Sequence, residues 1–261
     1  MLIFSTDKNR LYRHFQKDPV LFSYHIGDLD DFYFNDCQWA VDYKERAHIN
    51  EVILIYTGCK IPTVLAFGVS DRFQSLLEET IDLLPPKFYC HFQPDSHSIF
   101  PVAYNETSLG THQKMKLVKF NDNISVNENN HIMRLDMSHK EQLQKLYDAS
   151  YPDNYFTERM LETGKYFGYM EDDKIVSVSG VHVDSNEYKI AVLGNVVTSL
   201  KYRNRGLATL VTARLVKELV DEEKTVCLNV KCDNIPAIKS YEKLGFEKVH
   251  EYEEALFELK L

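Results

Sequence analysis

The chain has 261 residues, 44% of them hydrophobic, and carries a formal charge of −9 with a pI near 5.6. That length accommodates one large domain or two modest ones, and the acidic balance argues against nonspecific nucleic-acid binding while mildly favouring a cationic or amine-bearing partner. No apolar run approaches the ~18 residues of a membrane span, and the start, Met1-Leu2-Ile3-Phe4-Ser5-Thr6-Asp7-Lys8, turns charged at once and lacks a signal peptide's apolar body.

Cys37, Cys59, Cys90, Cys227 and Cys232 are odd in number, scattered and without a Cys-x-x-Cys pair, which predicts reduced thiols in a cytoplasmic protein. Cys227 and Cys232 are too widely spaced for a zinc knuckle and no histidine pair completes one, so no metal is expected.

In the first half, residues 51–56 and 62–67 read as an apolar hairpin across Thr57-Gly58-Cys59-Lys60. A helical pattern follows through Phe73, Leu76, Leu77, Ile81 and Leu84, stops at Pro85-Pro86, and gives way to a strand over 87–92. A polar stretch at 121–130, rich in Asn and Asp, has the composition of a linker. The expected domains are therefore residues 1–127 and 128–261.

The second half reads as a strand at 131–136, a helix at 140–150 with Leu143, Leu146 and Tyr147 inward, and a helical start at Thr157 running to Gly164. Strands at 166–170 and 174–184 form a hairpin across Glu171-Asp172-Asp173, and the turn Ser185-Asn186-Glu187 leads into a long β-rich run at 188–199. Leu207, Val211, Leu215 and Leu219 recur every fourth residue and predict an amphipathic helix. A strand at 225–230 follows, then a short helix capped by Asn234, tolerant of Pro236 in its first turn and ended by Gly245. Residues 246–249 and 255–259 read as two closing strands.

Between the long strand and its helix lies Arg203-Asn204-Arg205-Gly206-Leu207-Ala208. Gly206 permits a close backbone approach and angles other residues avoid. The first helical N–H groups have no intrahelical partner and sit at the positive end of the helix dipole. With Arg203 and Arg205 beside them, such a turn suits a pyrophosphate; the plainer alternative is a packed helix start with solvated arginines. The chain has neither a P-loop nor the Gly-x-Gly-x-x-Gly dinucleotide fingerprint. At the corresponding place in the first half stands Gly68-Val69-Ser70-Asp71-Arg72, whose Asp71 would repel phosphate.

The Arg-x-x-Gly-x-Ala turn is followed by Leu228-x-Val230 and then Asn234-x-x-Ala237-x-x-x-Tyr241-x-Lys243-Leu244-Gly245-Phe246. This succession resembles the GNAT superfamily of N-acetyltransferases over roughly residues 131–261, and the lead-in Leu193-Gly194-Asn195-Val196-Val197-Thr198 resembles its glycine N-acyltransferase-like branch. The resemblance implies an α/β (α+β) fold with a GNAT-type mixed sheet flanked by helices. The first half is then a degenerate GNAT-like module or an unrelated lid domain. It implies transfer of an acetyl group from acetyl-CoA to the amine of a small molecule or amino acid; from the charge and the apolar pattern no nucleic acid or membrane partner is expected, and a homodimer is an expectation. A protein that binds acyl-CoA without turning it over, as sensor or scaffold, is the alternative.

By the same resemblance, Val196, Val197 and Thr198 bind the pantetheine arm through their backbones, with Val197 as donor to the developing oxyanion. Arg203, Asn204, Arg205, Gly206, Leu207, Ala208 and Thr209 hold the pyrophosphate. Asn234 bonds the pantetheine amides or caps its helix. Tyr241 protonates the departing thiolate; read without the resemblance, a helical tyrosine near Ile238 and Leu244 is a core residue. Many members keep a glutamate on the strand before the glycine turn, but residues 190–195 here contain no carboxylate. His182 on the neighbouring strand is the expected substitute base, with Asp184, Glu187 and a water held by Asn195 as alternatives. Gly194 permits close approach of acceptor or thioester, or marks a β-bulge.

Overall fold

A computed structural model describes residues 3–44, 48–96, 100, 103–124 and 130–260. The chain forms two compact units, one of residues 1–114 with 249–261 and the other of residues 115–248.

The first unit contains β1 (Ile3–Phe4), α1 (Lys8–Phe15), α2 (Ser23–Gly27), α3 (Asp31–Phe34), β2 (Cys37–Lys44), β3 (His48–Tyr56), β4 (Thr63–Ala66), α4 (Phe73–Thr80) and β5 (Lys87–Phe92). β1 to β4 pair antiparallel in sequence order, and α4 carries the chain over to β5, which runs parallel to β4. Its core packs Ile53, Val64, Leu77 and Phe88 with Phe257, whose ring stacks on Phe88 at 5.4 Å.

The second unit repeats that succession strand for strand. β7 (Ile132–Arg134), α5 (Lys140–Ser150), β8 (Phe167–Glu171), β9 (Lys174–Ser185) and β10 (Ile190–Thr198) precede α6 (Leu207–Asp221), β11 (Thr225–Lys231) and α7 (Ile235–Leu244). Here β7 to β10 pair antiparallel in order and α6 is the crossover to the parallel strand β11. Each unit is thus a mixed sheet with flanking helices.

Local chemistry explains these elements. Asp172 and Asp173 adopt φ of 50° and 58°, the left-handed pair that a two-residue hairpin between β8 and β9 demands. Leu207, Val211, Leu215 and Leu219 are all buried along one stripe of α6, as their spacing predicts. Asn234 caps α7 by accepting from the Ala237 N–H, and Gly245 ends the helix at φ 99°.

Several expectations need correction. The domain boundary expected at 127/128 differs from the observed division after Lys114 and Lys248. The reason is two 14-residue strands, β6 (Tyr104–Leu117) and β12 (Phe246–Leu259), each of which begins in one unit and ends in the other. Residues 125–129 of the expected linker lie outside the described residues. The two closing strands are one, since β12 runs unbroken through the polar segment at 250–254. Glu254 can lie inside that strand because His91 and His112 approach its carboxylate at 3.2 and 3.4 Å and the Tyr252 hydroxyl donates to it. The helical start at Thr157 becomes a 3-10 segment, Glu158–Thr163, closed by Gly164 at φ 66° as expected.

Candidate functional site

The second unit's two parallel strands pair only briefly. Ile190 lies opposite Thr225, and the ladder ends three residues later at Leu193 and Leu228. β10 nevertheless continues to Thr198 and β11 to Lys231, so their outer halves run unpaired against each other. An extended chain with its own amides can enter such an opening and complete the ladder.

A bulge on β10 opens the split. The β9–β10 register slips between Gly194 and Val197, where Asn195 takes φ 55°. Three buried hydroxyl and amide contacts hold it: the Tyr147 hydroxyl donates to the Asn195 carbonyl at 2.8 Å, the Asn195 amide donates to the Tyr166 hydroxyl at 3.0 Å, and that hydroxyl donates to the Val181 carbonyl at 3.1 Å. Beyond the bulge, Ser199 donates to the Val176 carbonyl and Val197 faces Val178. The alternation of an antiparallel ladder therefore directs the Val197 N–H to β9 and turns those of Val196 and Thr198 toward the split. This corrects the oxyanion donor expected at Val197, whose amide belongs to the β9 pairing.

The glycine turn follows at the end of the same strand. Asn204 and Gly206 adopt φ of 63° and 75°, α6 begins at Leu207 with no side-chain cap, and the first intrahelical N–H to bond is that of Leu210 to the Gly206 carbonyl. The N–H groups of Leu207, Ala208 and Thr209 thus lack helical partners at the positive helix end. A Cβ at Gly206 would meet nothing within 4 Å, so the turn is open to a ligand. The arginines are held rather than loose. Arg205 pairs with Glu171 at 3.3 Å over the Tyr202 ring, and Arg203 donates to the Thr198 and Ser150 carbonyls. An unpaired strand edge leading into uncapped amides fits a pantetheine arm that ends in a diphosphate.

Tyr241 on α7 is buried, its ring edge-on to Phe246 at 6.0 Å, and it belongs to the unit's core cluster. Burial first, and then the nearby Tyr151, push its phenol above the usual range, so it holds its proton at any ordinary pH. Asn234 is exposed and its carbonyl oxygen caps α7, which leaves the amide side free of that role.

His182 on β9 is half-buried and lies over Gly194. A Cβ at Gly194 would fall 1.7 Å from the imidazole, so a larger residue there would displace the His182 ring. The Tyr155 ring meets His182 edge-on at 6.3 Å. Among the alternative bases, Asp184 forms a 2.5 Å ion pair with Lys224, whose side chain is fully buried, and Glu187 is exposed on the following turn. Burial raises the Asp184 carboxyl despite that lysine.

The first unit's counterpart is closed by its own side chains. β4 and β5 stay paired to their last residues, Ala66 and Phe92. In the turn before α4 the Gly68 N–H donates to the Gln93 side chain at 2.9 Å and the Val69 N–H to both Glu51 oxygens at 3.2 Å. A Cβ at Gly68 would collide with the Phe73 side chain. A buried carboxylate of the chain sits where a phosphate would sit in the second unit's turn.

Reading the sequence missed Tyr147 and Tyr166, which fix the bulge, and Asn229, the first residue of β11 past the split. Asn229 stood as the unspecified residue of Leu228-x-Val230. The available signal is a carboxamide inside the apolar run of residues 226–230, in a strand, where asparagine is disfavoured.

The FR47-like protein family matches residues 185–255, from the end of β9 into β12. No curated protein matches the chain in sequence. Among solved structures, a Drosophila protein superposes with a TM-score of 0.72 at 13% identity, covering 99% of this chain and 98% of its own. A GCN5-related N-acetyltransferase-like protein from Streptococcus suis 89/1591 gives 0.60 at 16% identity, covering 97% and 98%. A tandem GNAT protein from the clavulanic acid biosynthesis pathway gives 0.58 at 11% identity, covering 98% of both chains. Split strand, uncapped helix start and whole-chain superposition agree: this chain has the GNAT fold.

Proposed function

We propose that the protein is an acetyl-CoA-dependent N-acyltransferase acting on the amine of a small molecule or amino acid, with the second unit catalytic and the first a GNAT-like module without a ligand. The observation that carries this reading is the parting of β10 and β11 after Leu193 and Leu228, directly before the uncapped start of α6. The lead-in at 193–198 also supports the glycine N-acyltransferase-like branch, and the odd number and scatter of the cysteines, with no Cys-x-x-Cys pair, accord with the cytoplasm. Among the described residues no helix is long and apolar enough to cross a membrane.

In this reading the thioester brings an already activated carbonyl, so the protein supplies binding, orientation and proton handling. The Val196 and Thr198 backbones pair with the pantetheine amides and stabilise negative charge on the carbonyl oxygen. Residues 204–209 hold the diphosphate, with Arg203 and Arg205 fixing the turn. Asn234 offers its amide to the arm. Tyr241 donates a proton to the departing sulfur, and His182 takes one from the attacking amine.

The test is to mix the purified protein with acetyl-CoA and a panel of amines and follow free thiol. Release above background that depends on an amine supports the enzyme. A second reading, a non-catalytic acyl-CoA sensor, is favoured by the absence of any carboxylate on β10. Saturable acetyl-CoA binding with no amine-dependent release would select it.

A further inference from the structure

Asn229 carries a polar side chain with nothing to bind. Both its carboxamide oxygen and its nitrogen are buried, and neither has a hydrogen-bond partner. An amide left in that state is costly, so its presence between Leu228 and Val230 calls for a use.

Its position suggests one. Val192 and Cys227 are opposite each other on β10 and β11, so their side chains share a face of the sheet. Two residues on, Gly194 and Asn229 lie on that same face, one residue beyond the last paired rung. The His182 imidazole covers Gly194 from the β9 side. His182, Gly194 and Asn229 thus form one row across three strands, with a side chain at each end and none in the middle. The row lies one residue past the last paired rung of β10 and β11, where the two strands part, and in the proposed function this is where an amine approaches the thioester carbonyl.

The chemistry of the row narrows the acceptor. β10 carries no charged residue from Ile190 to Thr198, and Asp184 is neutralised by Lys224. A carboxamide presents an acceptor oxygen and a donor NH2 side by side, and another amide matches that pair with two parallel hydrogen bonds. We propose that Asn229 is a specificity-determining residue that reads a neutral amide next to the acceptor amine, while His182 faces the amine itself. This rests on the acyltransferase reading and names the acceptor class for it: an α-amino amide, either a small free amide or the amino end of a peptide.

The experiment compares wild type, Asn229→Leu and the near-isosteric Asn229→Asp with acetyl-CoA and four acceptors: glycinamide, glycylglycinamide, glycine and ethylamine. Acetyl-CoA affinity is measured separately by calorimetry. Wild type should prefer the two amides over glycine and ethylamine by about 10-fold or more in kcat/KM, as for a site whose polar groups a substrate must satisfy. Both variants should reduce that preference to within about 3-fold, with acetyl-CoA affinity unchanged, and Asn229→Leu should melt no lower than wild type because it removes an unpaired amide. A higher rate with glycylglycinamide than with glycinamide assigns a peptide end, and the reverse a small free amide. Equal rates with all four acceptors in wild type, a preference that survives in Asn229→Asp, or a lower melting temperature for Asn229→Leu would each overturn the proposal. Failure of wild type to bind acetyl-CoA at all would instead overturn the acyltransferase reading, and this one with it.

Discussion

The Glu51 carboxylate accepts the Val69 N–H through both oxygens at 3.2 Å, in the turn that leads from β4 into α4. That turn occupies the same place in its unit as the Gly206 turn does between β10 and α6. One has its amide answered by a buried acid of the chain; the other leaves three amides open. Like charges exclude each other from one site, so a diphosphate cannot join Glu51. Calorimetric titration with coenzyme A is therefore expected to give one site per chain, and Glu51→Gln should leave that number at one because β4 and β5 remain zipped to their ends. A stoichiometry of two would show that the first unit binds as well.

Gly206→Asp separates binding from folding. The residue sits at φ 75°, a region that aspartate tolerates better than most side chains, and a Cβ there meets nothing within 4 Å. Aspartate is also a favourable residue before a helix. The melting temperature should stay close to wild type, while a fixed carboxylate at the open amides weakens coenzyme A binding by about 10²-fold or more, equivalent to ~2.7 kcal/mol. Unchanged affinity measured by calorimetry would move the diphosphate elsewhere.

The parts of this site that could be read in the sequence are those where one residue type has one physical use. Gly206 at a strand–helix junction, Asn234 as a cap and Gly245 as a helix stop all behave as their chemistry requires. Asn229 escaped notice because its meaning depends on where two strands part, which is set by the Asn195 bulge and by the buried hydroxyls of Tyr147 and Tyr166, 48 and 29 residues away in sequence. β12 reads as two strands in the sequence because the polar segment at 250–254 interrupts its apolar pattern, and only the fold brings His91 and His112 beside Glu254. The repeated strand succession shows in the sequence only in part, through the hairpin, helix and strand at 51–92, because β1 and β2 lack a strong alternation.

Tyr241→Phe tests the proton donor. Burial holds the phenol protonated well above neutrality, so the group is present as an acid throughout the usual assay range. Removing its hydroxyl should lower kcat on the order of 10²-fold, as for a lost general acid, with acetyl-CoA affinity unchanged. Because the ring and its contact with Phe246 remain, stability should change by about 1 kcal/mol or less. Equal turnover in stopped-flow thiol release would return Tyr241 to the core residues.

Acid should weaken the first unit through its buried histidines. His14 is buried among Phe15 and Phe22, with its Nδ1 near the Ile49 carbonyl and the Lys17 amine and its Nε2 without a partner. Burial, then Lys17, lower its pKa to about 4. His25, fully buried against Phe15, Phe22, Phe67 and Trp39, is pushed down as well, by burial first and then by Lys114. Both histidines fold neutral and are protonated more readily when unfolded. Their contributions are complete above pH 6.5 and decline below it; that of His14 is lost as pH falls toward 4, at 1.36 kcal/mol per pH unit and about 3 kcal/mol at the limit. Glu254 acts in the same direction: despite its burial, His91 and His112 hold its carboxyl below the usual range, so it loses its contribution only at lower pH still. Trp39, the single tryptophan, lies 6.4 Å from His25 and reports on this unit alone. Its fluorescence melting temperature should drop between pH 6.5 and 4, and His14→Leu should recover part of the drop at pH 5 with little change at pH 7.5. A melting temperature that is flat across this range, or a variant no better than wild type at pH 5, would mean that the histidines are wetted and titrate as they do in the unfolded chain.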